Sequence, residues 1–326
     1  MMHPKAGNIL SLFRSETGYI SGEHFSRELG VSRTAVWKHI SALRNDGYII
    51  DAAPSRGYRL VFAPDTIDLR EVASKLDGIR IGRRLELHES TASTNSDAFR
   101  LAEAGAIEGT VVLADCQTGG KGRRGRLWAS PAGVNLYCSI VLRPPIMPSE
   151  APQLTFLSTV AAAKAIEQIT KLNPEIKWPN DLLISGKKVA GLLNEMSAET
   201  DGINFVILGI GVNLNMTADQ FPDDLRHPAS SLLLESGVRV GRSLFTSTML
   251  NELDRLYTDF LAHGFGPVRE QWQQRCNASG RRVTVKDSGT ECTEGRFIGI
   301  DTDGALLLRS DDDKLFRITC GDVRVI

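Results

Sequence analysis

The sequence predicts an α+β protein of several domains: a winged helix-turn-helix, a mixed sheet backed by helices, and a small domain of short strands. Three observations support this fold class. Two helix patterns separated by a glycine come first. Apolar strands then alternate with helices between residues 85 and 215. Short strands rich in Val and Leu follow residue 280, separated by turns that contain Asp and Gly.

Composition sets the limits within which the fold and the function lie. The 326 residues are enough for two or three domains, and a hydrophobic share of 42% argues against disorder. No apolar run reaches the roughly 18 residues of a membrane span, and the N-terminus does not resemble a signal peptide. Five cysteines without a Cys-x-x-Cys pair indicate reduced thiols. We therefore predict a cytoplasmic protein with no membrane partner and no metal held by its own side chains.

The first 60 residues carry the pattern of a winged helix-turn-helix. Ser21 and Ser32 are placed to cap two helices, and Gly30 supplies the turn between them. The residues of the second helix that recur at helical spacing and face the core are Ala35, Val36, Ile40 and Leu43. After this helix, two strands around a turn at residues 54–57 are predicted to form the wing.

The outer face of the second helix predicts DNA contacts, because this helix of the motif fits the major groove. Residues 1–62 carry eight Lys and Arg against five Asp and Glu, and an excess of positive charge suits the phosphate backbone. The predicted DNA-binding residues are Ser32, Arg33, Thr34, Trp37, Lys38 and Arg56. The alternative is a small helical domain that binds protein or nothing.

The stretch QTGGKGRRGRLWAS, residues 117–130, combines four cations with four glycines. No Asp or Glu occurs between Asp115 and Glu150, so this segment attracts anions. Glycines let its backbone approach a ligand, and Arg presents a planar fork to phosphate or carboxylate. Leu127 and Trp128 at its end favour a loop that closes on a ligand over a solvated connection, which is the alternative. The pattern predicts a nucleotide triphosphate or a similar polyanion.

Common phosphate and hydrolase motifs do not explain this segment. A Walker loop needs Ser or Thr after its lysine, whereas Gly122 follows Lys121. The GIGVN stretch, residues 209–213, lacks the third glycine and the helix of a dinucleotide fingerprint. The chain contains neither HExxH nor GxSxG.

A second group of polar residues lies in KWPNDLLISGKKVAGLL, residues 177–193. Asn180 and Asp181 stand at a turn, and a hairpin at SGKK sends Lys188 back along the next strand. A lysine that enters a sheet loses hydration, so we expect an anionic partner for it. The alternative is a surface hairpin whose lysine reaches solvent.

Five motifs in this order resemble those of biotin protein ligases. They are STN at 93–95, GGKGRRGRLW at 119–128, KWPNDL at 177–182, KVAGLL at 188–193 and GIGVN at 209–213. With the winged helix in front, the chain resembles the bifunctional members that also repress the biotin operon. The resemblance implies a central domain related to class II aminoacyl-tRNA synthetases and a C-terminal SH3-like barrel. Pro64 and the acids near it break the sequence pattern and predict a boundary there. We expect domains at 1–64, 81–275 and 276–326, with a linker at 65–80.

Site residues follow from the same resemblance. Biotin is expected at Ser93, Thr94, Asn95, Gln117, Lys121, Gly122, Arg123 and Lys188. ATP and the adenylate are expected at Arg123, Arg124, Arg126, Trp128, Lys188 and Asn213. The predicted catalytic residues are Lys188, Arg123 and Asp181, the last to orient or deprotonate an amine. The family often has Arg where this chain has Lys121, and Arg324 is only a weak match to a C-terminal nucleotide contact.

The implied reaction joins biotin to AMP and then moves the biotinyl group to a lysine. Its substrates are biotin and ATP, with Mg²⁺ held mainly by phosphate oxygens. The implied partners are the biotin carboxyl carrier protein of acetyl-CoA carboxylase, operator DNA, and a second subunit once the adenylate is bound. Three alternatives stay open: a ligase whose helix-turn-helix no longer represses, a sensing repressor without ligase activity, and a lipoate-type ligase.

Overall fold

The computed structural model describes residues 9–10, 12–13, 16, 18–45, 48–62, 65–200, 202–286 and 292–326. The chain divides into two compact units, Met1–Asp65 and Thr66–Ile326. Pro64, at which the sequence suggests a domain boundary, lies outside the described residues. Among the described residues, no helix combines the length and the apolarity needed to cross a bilayer.

The first unit is a helix-turn-helix followed by a two-stranded wing. Its elements are α1 (Gly22–Leu29), α2 (Arg33–Asn45), β1 (Ile49–Ala53) and β2 (Gly57–Phe62). Ser21 accepts a hydrogen bond from the His24 amide, and Ser32 accepts one from the Ala35 amide, so both serines cap their helices. Gly30 ends α1 in the left-handed conformation that the turn requires. The predicted inward residues Val36, Ile40 and Leu43 are fully buried, as is Phe25.

A seven-stranded mixed sheet forms the centre of the second unit. In chain order its strands are β3 (Arg84–Thr91), β4 (Thr110–Gln117), β5 (Leu136–Leu142), β6 (Glu175–Lys177), β7 (Asp181–Ile184), β8 (Lys187–Glu199) and β9 (Gly202–Val212). The spatial order is β3-β4-β5-β9-β8-β7-β6, and only the β3–β4 pair is parallel. Central β5 is buried along its whole length, as expected for a strand covered on both faces.

Helices cover the sheet and position the cavity described below. They are α3 (Leu69–Ser74), α4 (Thr94–Glu103), α5 (Gln153–Thr170), α6 (Leu232–Ser236), α7 (Arg242–His263) and α8 (Gly266–Arg275). The small residues of the Ala-rich α5 let it pack closely against its neighbours.

Residues 65–80, predicted as a linker, form a packed part of the second unit. Ile67 and Val72 lie in its hydrophobic core together with Ile81. Asp68 caps α3, because its carboxylate accepts from the Arg70 amide at 2.9 Å. Asp254 of α7 accepts from the backbone amides of residues 80 and 81 at 2.8 and 2.7 Å. This stretch is therefore held in place by buried side chains and hydrogen bonds, and is not a free connection.

The C-terminal residues form a five-stranded antiparallel sheet. Its strands are β10 (Arg282–Lys286), β11 (Cys292–Ile300), β12 (Leu306–Arg309), β13 (Leu315–Ile318) and β14 (Asp322–Val325), in the order β13-β12-β11-β10-β14. Its buried residues belong to the same hydrophobic core as the central domain. Trp178 also donates to the Gly304 carbonyl at 3.1 Å, which fixes this sheet beside the cavity. The predicted α+β fold with its winged helix and C-terminal sheet is confirmed.

Candidate functional site

One cavity in the second unit brings together residues from α4, β8, β9 and the segment 117–130, which we call the Gly/Arg loop. The predicted site residues that line it are Ser93, Thr94, Asn95, Gln117, Lys121, Gly122, Arg123, Arg124, Arg126, Trp128, Asp181 and Lys188. These residues come from segments that are far apart in the sequence. The fold therefore joins the two polar groups that the sequence shows separately.

One end of the cavity is a buried network of neutral polar side chains. Gln117 accepts a hydrogen bond from the Thr94 amide at 2.9 Å and donates to Ser130 Oγ at 2.9 Å. Ser139 Oγ lies 2.6 Å from Asn95 Oδ1 and 2.7 Å from Thr94 Oγ1. Because each group is held by a neighbour, the network keeps its donors and acceptors in fixed positions. It suits a neutral, polar ligand group.

Ser93 stands at the start of α4, beside this network. It occupies the N-cap position with extended backbone, and its side chain makes no capping hydrogen bond. The residue is buried and lines the cavity. Its hydroxyl therefore belongs to the cavity wall and not to the helix cap.

The Gly/Arg loop is an ordered hairpin beside the cavity and not a solvated connection. Lys121 pairs with Leu127 across its base, and the Gly122 amide donates to the Arg126 carbonyl at 2.7 Å. The tip turns at Arg124, which has a φ of 58°. Leu127 is 84% exposed, whereas Trp128 turns toward the sheet.

Arg123 is the loop cation that lies deepest in the site. Its guanidinium donates to Asn180 Oδ1 at 3.2 Å, and Asn180 in turn donates to the Leu192 carbonyl at 2.6 Å. Burial lowers the pKa of Arg123, and the adjacent Arg124 lowers it further. An arginine pKa begins so far above neutrality that the group stays charged. Arg123 is thus a fixed cation aimed at the cavity.

Lys188 has the anionic partner that the sequence predicts for it. Its ammonium lies 2.6 Å from Asp181 Oδ1 and 5.3 Å from the centre of the Trp128 ring. The backbone of Lys188 also bonds to the segment at Pro228–Ser230, so the residue is held on both sides. The ammonium is therefore turned into the cavity and not away from it.

Glycines on β8 and β9 make room for the side chains of the cavity. A Cβ at Gly211 would lie 2.7 Å from the Trp128 ring, and one at Gly209 would lie 2.2 Å from Asn95 Oδ1. A Cβ at Gly191 would meet the same Trp128 ring at 3.0 Å. These glycines let an indole and an amide lie directly against the sheet, which explains GIGVN without a dinucleotide site.

The predicted DNA-binding residues lie on one face of α2 and on the wing. Arg33, Thr34, Trp37 and Lys38 are exposed, and Trp37 is 56% exposed. Arg33 forms an ion pair with Glu23 of α1 at 2.7 Å. On the wing, the Arg56 guanidinium lies 4.5 Å from the centre of the Tyr19 ring. The Ser32 hydroxyl is engaged as the cap of α2.

Comparison with known proteins identifies the family. Residues 86–213 match the sequence profile of the Biotin/lipoate A/B protein ligase family. Residues 6–59 match an HTH domain, and residues 278–325 match the Biotin protein ligase C terminal domain. The Bifunctional ligase/repressor BirA of Bacillus subtilis is 40% identical over 308 residues, which is 94% of this chain and 94% of that protein. The chain belongs to the biotin/lipoate A/B protein ligase family.

Other members of the ligase family agree in sequence and fold. The Bifunctional ligase/repressor BirA of Escherichia coli is 30% identical, covering 89% of this chain and 88% of that protein. A biotin protein ligase from Aquifex aeolicus, solved in complex with biotin and ATP, superposes with a TM-score of 0.64. It is 27% identical and covers 75% of this chain and 99% of its own.

Asn213 is the one ligase-motif residue among the predictions that the structure does not bring to the cavity wall. It is buried, and its amide donates to the Ser230 carbonyl at 3.0 Å. The Asn135 amide lies 3.5 Å from its oxygen. Its side chain thus fixes the segment after β9, and a direct adenylate contact stays a prediction.

The predicted site residues did not include Lys177, His227 and Asp322, which also line this cavity. Asp322 of β14 lies 2.8 Å from Arg126 and 3.0 Å from Arg226. Burial lowers the pKa of Lys177 and that of His227, and for His227 nearby cations lower it further. Lys177 is the first residue of the KWPNDL motif, so the sequence points to it, whereas only the fold shows that Asp322 reaches the site.

Proposed function

We propose that this chain is a biotin ligase that consumes ATP. It joins the biotin carboxylate to the α-phosphate of ATP, which releases pyrophosphate, and then transfers the biotinyl group to a lysine amine, which releases AMP. We also propose three domains along the chain: a DNA-binding domain at 1–64, a catalytic domain at 81–275 and a C-terminal domain at 276–326. The five cysteines include no Cys-x-x-Cys pair, which favours the cytoplasm as its compartment.

The neutral network and the cations meet in one cavity, and this observation carries the proposal. A cyclic urea has two N–H donors and one carbonyl acceptor, which suits the amide and hydroxyl groups of Thr94, Asn95 and Gln117. We assign the ureido ring to this end, with Ser93 in the wall. The biotin carboxylate then points toward Arg123 and Lys188.

Joining a carboxylate to a polyphosphate requires that two anions approach. Fixed cations lower that cost without any reorganisation during the reaction. We assign this task to Arg123 and Lys188, with Arg124 and Arg126 on the phosphates and Trp128 closing the site. Lys121 and Gly122 complete the loop over biotin. Loop closure also shields the reactive mixed anhydride from water.

Asp181 is our candidate for the transfer step. Its carboxylate contacts the Lys188 ammonium at 2.6 Å, so it lies beside the group that we assign to the activated carboxyl. An incoming lysine amine must lose a proton as it attacks, and a carboxylate at this place orients it or accepts that proton.

Mg²⁺ would reach this site on ATP. The two carboxylates that line the cavity, Asp181 and Asp322, are each engaged by cationic side chains. Phosphate oxygens are hard ligands that suit Mg²⁺, and the ion would offset part of their charge.

The ligase proposal is tested by the intact mass of an acceptor domain. We expect an apo biotin carboxyl carrier domain of acetyl-CoA carboxylase to gain one biotinyl group after incubation with this chain, biotin and MgATP. Reactions without biotin or without ATP are the controls. Pyrophosphate release that depends on lipoate and not on biotin would instead support the lipoate-type alternative.

We further propose that the chain represses transcription as a dimer bound to operator DNA. The exposed cations of α2 and the wing favour DNA binding by the first unit. In the second unit, β7 pairs with β8 only as far as Gly191. Beyond Leu192, β8 has no strand partner on that side among the described residues. Such an edge pairs readily with a second chain, and edge-to-edge pairing gives a twofold dimer.

Operator binding is tested by gel shift with and without biotin plus ATP. We expect binding to a palindromic operator only when both are present, because the adenylate orders the loop and favours the dimer. Binding that ignores both ligands would contradict this role. Ligase activity without any operator binding would support the alternative of a ligase that no longer represses.

A further inference from the structure

A carboxylate on β8 contacts two of the residues that we assign to biotin. The Asn95 amide nitrogen donates to Glu195 Oε2 at 2.7 Å, and the Lys121 ammonium lies 3.7 Å from Glu195 Oε1. Glu195 is not among the residues that line the cavity. One residue behind the site therefore joins its buried polar end to the base of the Gly/Arg loop.

Glu195 determines which way the Asn95 amide faces. A carboxylate only accepts hydrogen bonds, so the NH₂ group of Asn95 must point to it. The same nitrogen lies 3.4 Å from the Leu193 carbonyl, and the Asn95 oxygen faces Ser139 Oγ at 2.6 Å. The Leu193 carbonyl also accepts from this NH₂ group, but at a longer distance, so loss of the carboxylate weakens the preference for this orientation. A ligand that donates a hydrogen bond to the Asn95 side-chain oxygen then loses a fixed acceptor.

Glu195 also supplies the negative charge that the loop lacks. The loop sequence contains no acid, so Lys121 depends on another element for a partner. Lys121 pairs across the hairpin with Leu127, and its position therefore sets the base of the loop. The Lys121 side chain is 45% exposed, so the ion pair is weak alone and sensitive to salt.

We propose that Glu195 is a positioning residue for biotin. It fixes the acceptor face of Asn95, and through Lys121 it holds the base of the loop over the cavity. This inference rests on the proposed ligase function. It implies that biotin binding depends on Glu195 more strongly than ATP binding does, because Asn95 is assigned to biotin alone and the phosphate-directed Arg126 is held separately by Asp322.

The test compares Glu195→Gln and Glu195→Ala with the unchanged chain. Glu195→Gln keeps an acceptor for Asn95 but loses the charge, so we expect KM for biotin to rise about threefold to fivefold at low salt. Glu195→Ala loses both contacts, and we expect a rise of roughly twentyfold or more. In both variants KM for ATP should stay within about twofold, on the same reasoning. Glu199→Gln, an exposed acid at the end of the same strand, is the matched control and should match the unchanged chain.

A double-mutant cycle tests the route through Lys121. If Glu195 acts on the loop through this lysine, Glu195→Gln should add nothing in a Lys121→Met background. Any of three results would overturn the proposal: an equal effect of Glu195→Gln in both backgrounds, an unchanged KM for biotin in both Glu195 variants, or a parallel rise in KM for ATP. Should Glu195→Ala unfold, the Glu195→Gln results decide.

Failure of the ligase proposal gives a different result. It would appear as no biotin-dependent pyrophosphate release from the unchanged chain. Biotin titration by calorimetry in the absence of ATP then decides the positioning role separately: a weaker affinity in both Glu195 variants supports it, and equal affinities refute it.

Discussion

Single residues set the chemistry of the cavity, and a substitution of Arg123 tests this most directly. It is the loop cation fixed by Asn180, whereas Arg124 and Arg126 are more exposed. Arg123→Ala removes a charged partner of both anions, so we expect biotin affinity to fall about tenfold to a hundredfold. The adenylate should also escape faster. Retention is measured by release of labelled biotinyl-AMP after gel filtration, with circular dichroism as the check on folding.

Normal retention in that variant would show that the loop does not hold the adenylate through Arg123. The sequence could predict this cation, because its charge and its glycine neighbours are visible in the chain. It could not predict Asp322, which comes from a separate sheet and reaches Arg126 only through the packing of the C-terminal strands. Nor could it show that the Asn213 amide is already bonded to the Ser230 carbonyl.

Gly209 tests the close approach of Asn95 to the sheet. Gly209→Ala places a methyl group 2.2 Å from Asn95 Oδ1, so the amide must move. We expect biotin affinity to fall about tenfold, with a loss of stability of about 1–3 kcal/mol. Biotin titration and thermal unfolding measure the two effects. The control is Gly202→Ala at the start of the same strand, where an added Cβ would have no neighbouring atom within 4 Å.

At the scale of elements, α7 holds the segment that leads into the central sheet. Asp254 accepts hydrogen bonds from the amides of residues 79, 80 and 81. Asp254→Ala leaves these amides without that partner, and we expect a loss of about 2–4 kcal/mol in the free energy of unfolding. Denaturant unfolding measures it. The exposed Asp259→Ala on the same helix should change stability by less than about 0.5 kcal/mol.

Elements differ in how far the sequence predicts them. The long helix α5 and the apolar strands β5 and β9 follow from uninterrupted patterns of residues that suit them. Residues 65–80 contain polar residues that suggest a linker. Their packing could not be predicted from the sequence, because it depends on Asp254, more than 170 positions away. The hairpin form of the Gly/Arg loop also depends on distant atoms, since the sheet glycines let Trp128 pack beneath it.

At the scale of the whole molecule, the chain divides into two units whose proposed tasks differ. Lys38 is exposed on α2 of the first unit, and the proposed ligase site lies wholly in the second. Lys38→Ala should weaken binding to operator and non-operator DNA alike. It should also lower the slope of log affinity against log salt concentration by about one. Carrier biotinylation should not change. A loss of ligase activity in this variant would contradict the assignment of separate tasks.

Fold class could be predicted because the charge, helix and strand patterns change where the domains change. DNA binding could be predicted from the helix-turn-helix pattern and its charge, whereas the pairing of a sheet edge with a second chain could only be inferred by resemblance, since a sequence does not show which strand edge stays open. The free edge of β8 follows from the short β7, which pairs with only the first part of its neighbour.

The central claim is that fixed cations lie over the biotin carboxylate and the ATP phosphates and allow these two anions to react. A crystal structure of this chain with biotinyl-5′-AMP tests it most directly. We expect the Arg123 guanidinium and the Lys188 ammonium within about 3 Å of the acyl phosphate oxygens, with Trp128 covering the ligand. A structure in which the loop points into solvent while the ligand lies bound without these contacts would contradict the account.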